Sequence, residues 1–272
     1  MTYQDNVISH LGSYKKNVLN IHEKGIFPYN GQDLYYDHIL PKNHRQLNIL
    51  ELYRDGFYKS KYSKIDYHRY FHHLNSSQAL CINLFYPLIA ENKLDIFFNL
   101  IRTEHSGILN IEFEFVSDLE KAVRKTHFDL FILLLDGTRI YVEVKYTEQK
   151  FGSAKMDQAH IDKFEDTYQP LLLENPFIRE KFKTRDQFLA NYQVMRNLVH
   201  LGETDYVVFL YPQANKRVHH QSTRALNEIL TPEGSKKFRN ILLEEMSKYI
   251  KDNTKNENLK THYSDFKRKY LI

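Results

Sequence analysis

The sequence has little of several residue types, and each shortage excludes a class of protein. Cys81 is the one cysteine, so the chain cannot form an intrachain disulfide or a cysteine-based zinc site. Glycine (9) and proline (7) are scarce, which excludes collagen-like and linker-rich chains. The longest apolar run, residues 130–135, is far shorter than the ~20 residues of a membrane-spanning helix. Because the first residues also lack the pattern of a signal peptide, we expect a soluble cytoplasmic protein without a membrane partner.

The residues that are present are typical of a folded, mildly basic protein. The 272 residues are 42% apolar and 26% charged, so most of the chain should be ordered. Lysine and arginine number 38 against 34 acidic residues, which gives a net charge of +4. This balance permits a polyanionic partner but does not require one.

The order of predicted elements indicates an α/β fold. Asn75-Ser76-Ser77 is a helix cap ahead of an apolar helix, and strands are predicted at 108–116, 128–135, 139–147 and 205–211. Helices are predicted at about 158–173 and at 184–200, where Thr184 and Gln187 have capping-box spacing. We expect a mixed, mostly four-stranded sheet flanked by helices. Its nuclease-like core would span 76–212, with helical additions at 1–75 and 213–272, all in one compact domain.

Asp129 and the string Glu143-Val144-Lys145 are the most informative residues. Asp136-Gly137 is a hairpin turn signal, and Asp129 and Glu143 lie about equally far from it on the two predicted strands. Period-two geometry puts Glu143 and Lys145 on one face of their strand. Two carboxylates and an ammonium should therefore converge. The alternative is a cross-strand ion pair on a solvated face, worth at most ~1 kcal/mol.

Converging carboxylates repel each other unless a cation lies between them, and their oxygens suit Mg²⁺ or Mn²⁺. Such a metal lowers the pKa of a bound water and neutralises charge that develops on a phosphate. A nearby lysine can orient that water or stabilise the transition state. The pattern therefore favours metal-dependent phosphodiester chemistry.

The spacing from Asp129 to Glu143-Val144-Lys145, within this element order, resembles the PD-(D/E)XK nuclease superfamily. The phrases 74–79 (LNSSQA) and 143–148 (EVKYTE) resemble bacterial restriction-endonuclease-like proteins. The resemblance implies a restriction-endonuclease-like core in which Asp129, Glu143 and Val144 form the metal site. Lys145 would serve the attacking water. The chain departs from the motif's name at Phe128, where the name has proline.

Two further residues are candidates for the catalytic group. Glu114 lies opposite the apolar residues Ile111, Phe113 and Phe115 of its strand and could add a carboxylate, although a solvated acid fits equally well. Gln78, in the first turn of its helix, matches a position where superfamily members often place a polar group. The alternative for Gln78 is an ordinary polar residue near a helix cap.

Three sets of residues are candidates for nucleic-acid contacts. Loop residues beyond the motif strand could touch the phosphate backbone, and so could a polar helical stripe at 193–200. A third, basic and aromatic set lies between 54 and 73. The alternatives are solvated lysines, a wet helix face and a tyrosine-rich packing segment. The members of the three sets are Lys150, Ser153 and Lys155; Gln193 and Arg196; and Lys59, Lys61, Lys64 and Arg69.

These observations predict a Mg²⁺-dependent (or Mn²⁺-dependent) endonuclease that hydrolyses DNA, of restriction or defence type. The alternative is a protein on a nuclease-like fold that binds nucleic acid or a protein partner without cutting. A single metal site cuts one strand per engagement, so cutting both strands would require two sites. A homodimer is the simplest way to supply them.

Overall fold

A computed structural model describes residues 2–120 and 125–272 of the protein. The strands are β1 (Gly25–Tyr29), β2 (Gln32–Tyr36), β3 (Ile108–Val116), β4 (His127–Leu134), β5 (Arg139–Val144), β6 (Tyr206–Tyr211) and β7 (Phe238–Leu242). The described helices are α1 (Tyr3–Asn17), α2 (Glu51–Lys59), α3 (Ser77–Ala90), α4 (Leu94–Ile101), α5 (Gln158–Lys163), α6 (Gln169–Glu174), α7 (Arg185–Ala190), α8 (Tyr192–Leu198), α9 (Lys216–Arg224), α10 (Pro232–Lys237), α11 (Leu243–Asn253) and α12 (Glu257–Tyr270). Among these residues, no helix is both long and apolar enough to cross a membrane.

The central sheet has five strands in the order β3-β4-β5-β6-β7. β3, β4 and β5 are antiparallel, and β5, β6 and β7 are parallel. The predicted α/β class with a mixed sheet is confirmed, but the expectation of mostly four strands is wrong. The fifth strand, β7, lies in the tail that was predicted to be helical, because five residues are too few for a periodic pattern to distinguish helix from strand.

The N-terminal segment is also not purely helical. β1 and β2 form an antiparallel hairpin around Asn30 and Gly31, which have φ angles of 49° and 77°. Asn-Gly is the sequence signal for this turn, because both positions need the left-handed backbone region. The expected short helices and loops therefore cover only part of residues 1–75.

Helices cover both faces of the sheet and enclose two hydrophobic cores. The first core contains α3 together with side chains from α1, α4, α11 and α12, such as Leu11 and Tyr263. The second core lies on the opposite face, where Tyr141 and Phe209 meet α7 and α8. Residues from all three predicted segments contribute to the first core. The division at residues 75 and 212 stays a prediction.

Helix α3 begins where the sequence predicts. The Ser76 hydroxyl accepts a hydrogen bond from Ala79 N at 3.3 Å, and nearly every later residue of α3 is buried. The helix predicted at 184–200 is instead divided at Asn191 into α7 and α8, and Thr184 makes no side-chain cap.

β3 departs from simple alternation at one residue. Ile111 and Phe113 enter the first core as expected, but Phe115 packs against the second core, with its ring stacked 4.0 Å from Phe131. The cause is Glu114, whose φ of 56° is left-handed. This conformation interrupts the alternation, so that the next side chain points to the opposite face of the sheet. The prediction that Phe115 shares a face with Ile111 and Phe113 is therefore wrong.

Candidate active site

The hairpin of β4 and β5 brings Asp129 to Glu143. Leu130 pairs with Val142, so the register places Asp129 opposite Glu143, one position beyond the last paired residues. There the ladder stops, and Asp129 Oδ2 accepts a hydrogen bond from the backbone N–H of Val144 at 2.6 Å. The carboxylate thus replaces a strand-to-strand bond and holds the two strand ends together.

Glu143 and Lys145 form a buried ion pair. Lys145 Nζ lies 2.8 Å from Glu143 Oε1, and their side chains are only 10% and 6% exposed. The face they share is covered by the second core, and Lys145 Nζ lies 5.5 Å from the centre of the Phe151 ring. The alternative of an ion pair on a solvated face is therefore wrong.

Gln193 is a second donor to Glu143. Its Nε2 donates to Glu143 Oε1 at 3.0 Å, the same oxygen that Lys145 contacts. Gln193 is held in turn by Gly152, because its side-chain oxygen accepts from Gly152 N and its own backbone N donates to Gly152 O. Two donors fix one oxygen of Glu143, and the residue's second oxygen has no described partner.

Glu114 on β3 and Gln78 on α3 are the two further candidates for the catalytic group. Glu114 has a left-handed conformation, and the Gln78 amide lies close enough to the Glu114 carboxylate to lower its pKa. Gln78 also accepts from His68 N and donates to Asp66 O, both at 3.0 Å. A left-handed φ at a non-glycine residue inside a strand is costly, and such strain is typical of functional sites.

A cleft of about 630 Å³ gives solvent access to Glu114. One wall is the chain around residues 64–68, which Gln78 fastens to α3, and the other is the end of β3 and β4. The charged and polar residues that line the cleft are Lys64, Asp66, Tyr67, His68, Glu112, Glu114 and His127.

Burial, together with neighbouring carboxylates, raises the pKa values of the acids in the site. Burial raises the pKa of Asp129 well above its usual range, and the carboxylates of Glu143 and Glu114 raise it further. Burial also raises the pKa of Glu114 to about 7, although the nearby Gln78 amide opposes the shift. Burial by itself would lower the pKa of Lys145, but Glu143 and other nearby acids outweigh it, and the pKa rises. The site therefore holds three buried or half-buried carboxylates beside one buried amine.

This donor set can accept a divalent cation through a small number of protein oxygens. Among residues 2–120 and 125–272, no three His, Cys, Asp or Glu side chains are placed to hold a metal ion together. Mg²⁺ commonly takes one or two carboxylates and completes its shell with waters and phosphate oxygens. Asp129 and Glu143 with the backbone of Val144 fit that requirement.

The residues predicted to contact nucleic acid lie in different environments. The loop after β5 and the basic segment before α3 present exposed side chains, with Lys61 and Arg69 lying over the rings of Tyr62 and Tyr70. The exposed candidates are Lys59, Lys61, Lys64, Arg69, Lys150, Ser153 and Lys155.

The helical stripe at 193–200 does not face solvent. Gln193 reaches Glu143, and Arg196 Nη2 lies 3.6 Å from the buried carboxylate of Glu120. His200 is 1% exposed, and its Nε2 lies 2.7 Å from the hydroxyl of Ser117. The stripe packs against the sheet, so the alternative of a solvent-exposed helix face is wrong.

Asn215 was not among the predicted residues. Its side-chain amide donates to the backbone oxygens of Tyr146 and Glu148 at 3.1 and 2.8 Å, and its Oδ1 caps α9. Asn215 thereby fixes the chain just beyond Lys145. An asparagine directly before a helix is a cap signal that identifies the local role, but not the distant contact.

Comparison with known proteins gives one match. The model of the family REase-ARP, described as "Restriction Endonuclease associating with ARP", matches residues 8–271, nearly the whole chain. No curated protein and no solved structure matches the sequence.

Proposed function

The chain belongs to the REase-ARP family, and from that premise we propose that it is a Mg²⁺-dependent or Mn²⁺-dependent endonuclease of the PD-(D/E)XK type that hydrolyses DNA in a restriction or defence role. The observation that carries the proposal is the buried arrangement of Asp129, Glu143 and Lys145 where the ladder between β4 and β5 stops. Burying these charges is costly, and buried titratable groups beside a charge partner are candidates for a functional site.

The metal would be held by Asp129, Glu143 and the backbone of Val144. The chemistry that Mg²⁺ supplies in such a site is a more acidic bound water and compensation of phosphate charge. The environment of Asp129 supports this assignment: burial, and then the nearby carboxylates of Glu143 and Glu114, raise its pKa, and a bound cation would favour its charged form. Glu114 would be an additional carboxylate of the site. Its pKa is about 7, so its charge would change with pH near neutrality.

The protein's own groups have separate tasks. Gln193 and Lys145 orient Glu143 by binding one of its oxygens. Lys145 has three N–H donors and gives one to Glu143, so the others can position an attacking water or a phosphate oxygen. Asn215 and Phe151 keep Lys145 in place from the two sides of the strand end.

The test is incubation of the purified protein with duplex, single-stranded and branched DNA and with RNA, in Mg²⁺, Mn²⁺ or EDTA. Metal-dependent cleavage that is abolished in both Lys145→Ala and Glu143→Gln supports the proposal. Binding without cleavage of any substrate would contradict it and favour a non-catalytic partner of nucleic acid or protein.

We expect Gln193→Leu to weaken Mn²⁺ binding or the cleavage rate about 10–100-fold, because partners that orient metal ligands typically contribute this much. Substrate KM should change little, since Gln193 contacts Glu143 and not the exposed surface. Calorimetric titration with Mn²⁺ and steady-state cleavage kinetics measure both quantities. Gln187→Leu, an exposed position on α7, is the matched control. A change confined to KM would point instead to direct substrate contact.

DNA contacts are proposed for the exposed cations of the segment before α3 and of the loop after β5. Replacing Lys59, Lys61, Lys64 and Arg69 by alanine should flatten the slope of log K against log salt by about one unit for each phosphate that these side chains neutralise. Fluorescence anisotropy from low to high salt measures the slope, and an unchanged slope would show that the segment has only a packing role. Loop residues Lys150, Ser153 and Lys155 can be tested in the same way.

Cutting both strands of a duplex requires two such sites, and a homodimer is proposed as their source. Light scattering at micromolar concentration, with and without DNA, tests this assembly. A monomer under both conditions would contradict it.

A further inference from the structure

Four aromatic rings form a row from the N-terminal hairpin to the wall of the cleft. The ring of Tyr29 lies 6.1 Å from that of Phe27, nearly parallel at 18°, and the ring of Phe27 lies 5.3 Å from that of Tyr70. The ring of Tyr70 is in turn 5.4 Å from His68. This ring row is defined by Tyr29, Phe27, Tyr70 and His68.

The ring row is open to solvent at both ends. Tyr29 is 57% exposed, although a tyrosine ring gains free energy by burial, and His68 is also exposed. The hairpin register explains which side chains take part. Phe27 pairs with Leu34 and Tyr29 with Gln32, so Phe27 and Tyr29 share one face, whereas Tyr35 lies on the opposite face.

The inner end of the ring row is fastened to the candidate active site. The backbone N–H of His68 donates to the Gln78 side chain, and the Gln78 amide lies close enough to the Glu114 carboxylate to lower its pKa. His68 and Glu114 line the same cleft. A DNA strand that follows the rings inward therefore arrives beside Glu114.

Positive charge accompanies the rings. The guanidinium carbon of Arg69 lies 4.3 Å from the centre of the Tyr70 ring, and Lys64 lines the cleft beside His68. Between residues 59 and 73 the sequence has four Lys or Arg and one acid, Asp66. Rings for unstacked bases and cations for phosphates are the combination that single-stranded nucleic acid requires. An apolar protein partner would gain little from the cations.

We propose that the ring row binds the bases of an unpaired DNA strand and leads that strand into the cleft beside Glu114. This inference rests on the proposed function. If the protein is a nuclease, its substrate would be DNA with a single-stranded segment beside the cleavage position. Tyr29 supplies the outermost stacking surface, and Arg69 with Lys64 contacts the phosphates nearest the cleft.

The test measures binding without cleavage, so that it can fail independently of the nuclease proposal. Full-length protein is titrated in EDTA with a fluorescein-labelled 20-nucleotide oligo-dT and with a blunt duplex of the same length. Tyr29→Ala should raise the Kd for oligo-dT about tenfold, because aromatic stacking contributes strongly to single-strand binding, and should leave the duplex Kd within a factor of about two. Tyr29→Phe, which keeps the ring, should bind oligo-dT like the wild type.

Tyr35→Ala is the matched control, because Tyr35 is 59% exposed on the other face of the same hairpin and should change neither Kd. Equally weakened binding in Tyr29→Ala and Tyr35→Ala would overturn the proposal, and so would oligo-dT binding that no variant weakens. Absence of oligo-dT binding by the wild type would also overturn it and favour a protein partner. Oligo-dT binding through Tyr29 in a protein that cleaves nothing would support this inference and refute the nuclease proposal.

Discussion

Replacing Asp129 by asparagine is expected to abolish metal-dependent cleavage and, at the same time, to make the fold more stable. Cleavage should fall about 10³-fold, because the variant lacks a charged ligand of the proposed metal site. Stability should rise by about 1–2 kcal/mol, because the wild-type carboxylate is buried and lies near the carboxylates of Glu143 and Glu114, whereas asparagine is uncharged. The asparagine oxygen can still accept the Val144 N–H, so the strand ends stay joined.

The stability gain should depend on pH in a definite direction. The pKa of Asp129 is higher in the folded than in the unfolded protein, so the folded state binds its proton more tightly and wild-type stability from this group falls as the pH rises. The advantage of Asp129→Asn should therefore be largest at neutral pH and disappear towards pH 4, near the unfolded pKa of about 3.9.

Urea denaturation at several pH values measures this difference, and cleavage of the best substrate measures the fall in activity. Addition of Mg²⁺ should stabilise the wild type but not the variant, because only the wild type has the full site. Asp252→Asn is the control, since Asp252 forms an exposed ion pair with Lys248 and should change neither quantity appreciably. A variant that is less stable than the wild type at neutral pH would contradict the electrostatic explanation.

Replacing Asn83 by leucine is expected to lower the free energy of unfolding by about 2–5 kcal/mol. Asn83 is 1% exposed in the middle of α3, and its Oδ1 accepts from Leu50 N at 2.7 Å while its Nδ2 contacts the Tyr270 hydroxyl at 2.7 Å. Leucine fills a similar volume but leaves these groups buried and unpaired, and each unsatisfied group costs about 1–3 kcal/mol.

The size of this effect reflects how the ends of the chain are joined. Asn83 Nδ2 also donates to Asn48 O, an oxygen that the buried amine of Lys269 contacts as well. One side chain of α3 thus links the N-terminal segment to α12. Chemical denaturation measures the destabilisation, and Asn253→Leu, at an exposed residue of α11, is the control. A destabilisation below about 1 kcal/mol would indicate that water or a rearranged neighbour satisfies the freed groups.

Local signals in the sequence were sufficient to predict that Asp129, Glu143 and Lys145 lie close together. Asp136-Gly137 predicts a turn, and Gly137 indeed has a φ of 87°. Once that turn is placed, the equal distances along two strands bring Asp129 opposite Glu143, because antiparallel register is fixed by the turn. The same alternation puts Glu143 and Lys145 on one face. The cap of α3 was predictable for a similar reason, since Ser76 bonds a residue only three positions away.

Contacts between distant residues required the tertiary structure. Gln193 meets Glu143 across 50 residues, and only the packing of α8 on the sheet turns its side chain to that carboxylate. The alternation of side chains along β3 is interrupted at Glu114, because the surroundings hold this non-glycine residue in a left-handed conformation. A period-two pattern cannot predict such an interruption. β7 is too short to show a period and is a strand because β6 offers it a partner edge. The sequence by itself therefore determined the α/β class and the motif on β4 and β5, where the interacting residues are close in sequence or related by one turn. The orientation of the carboxylates, the fifth strand and the ring row were decided by packing between segments that the chain separates widely.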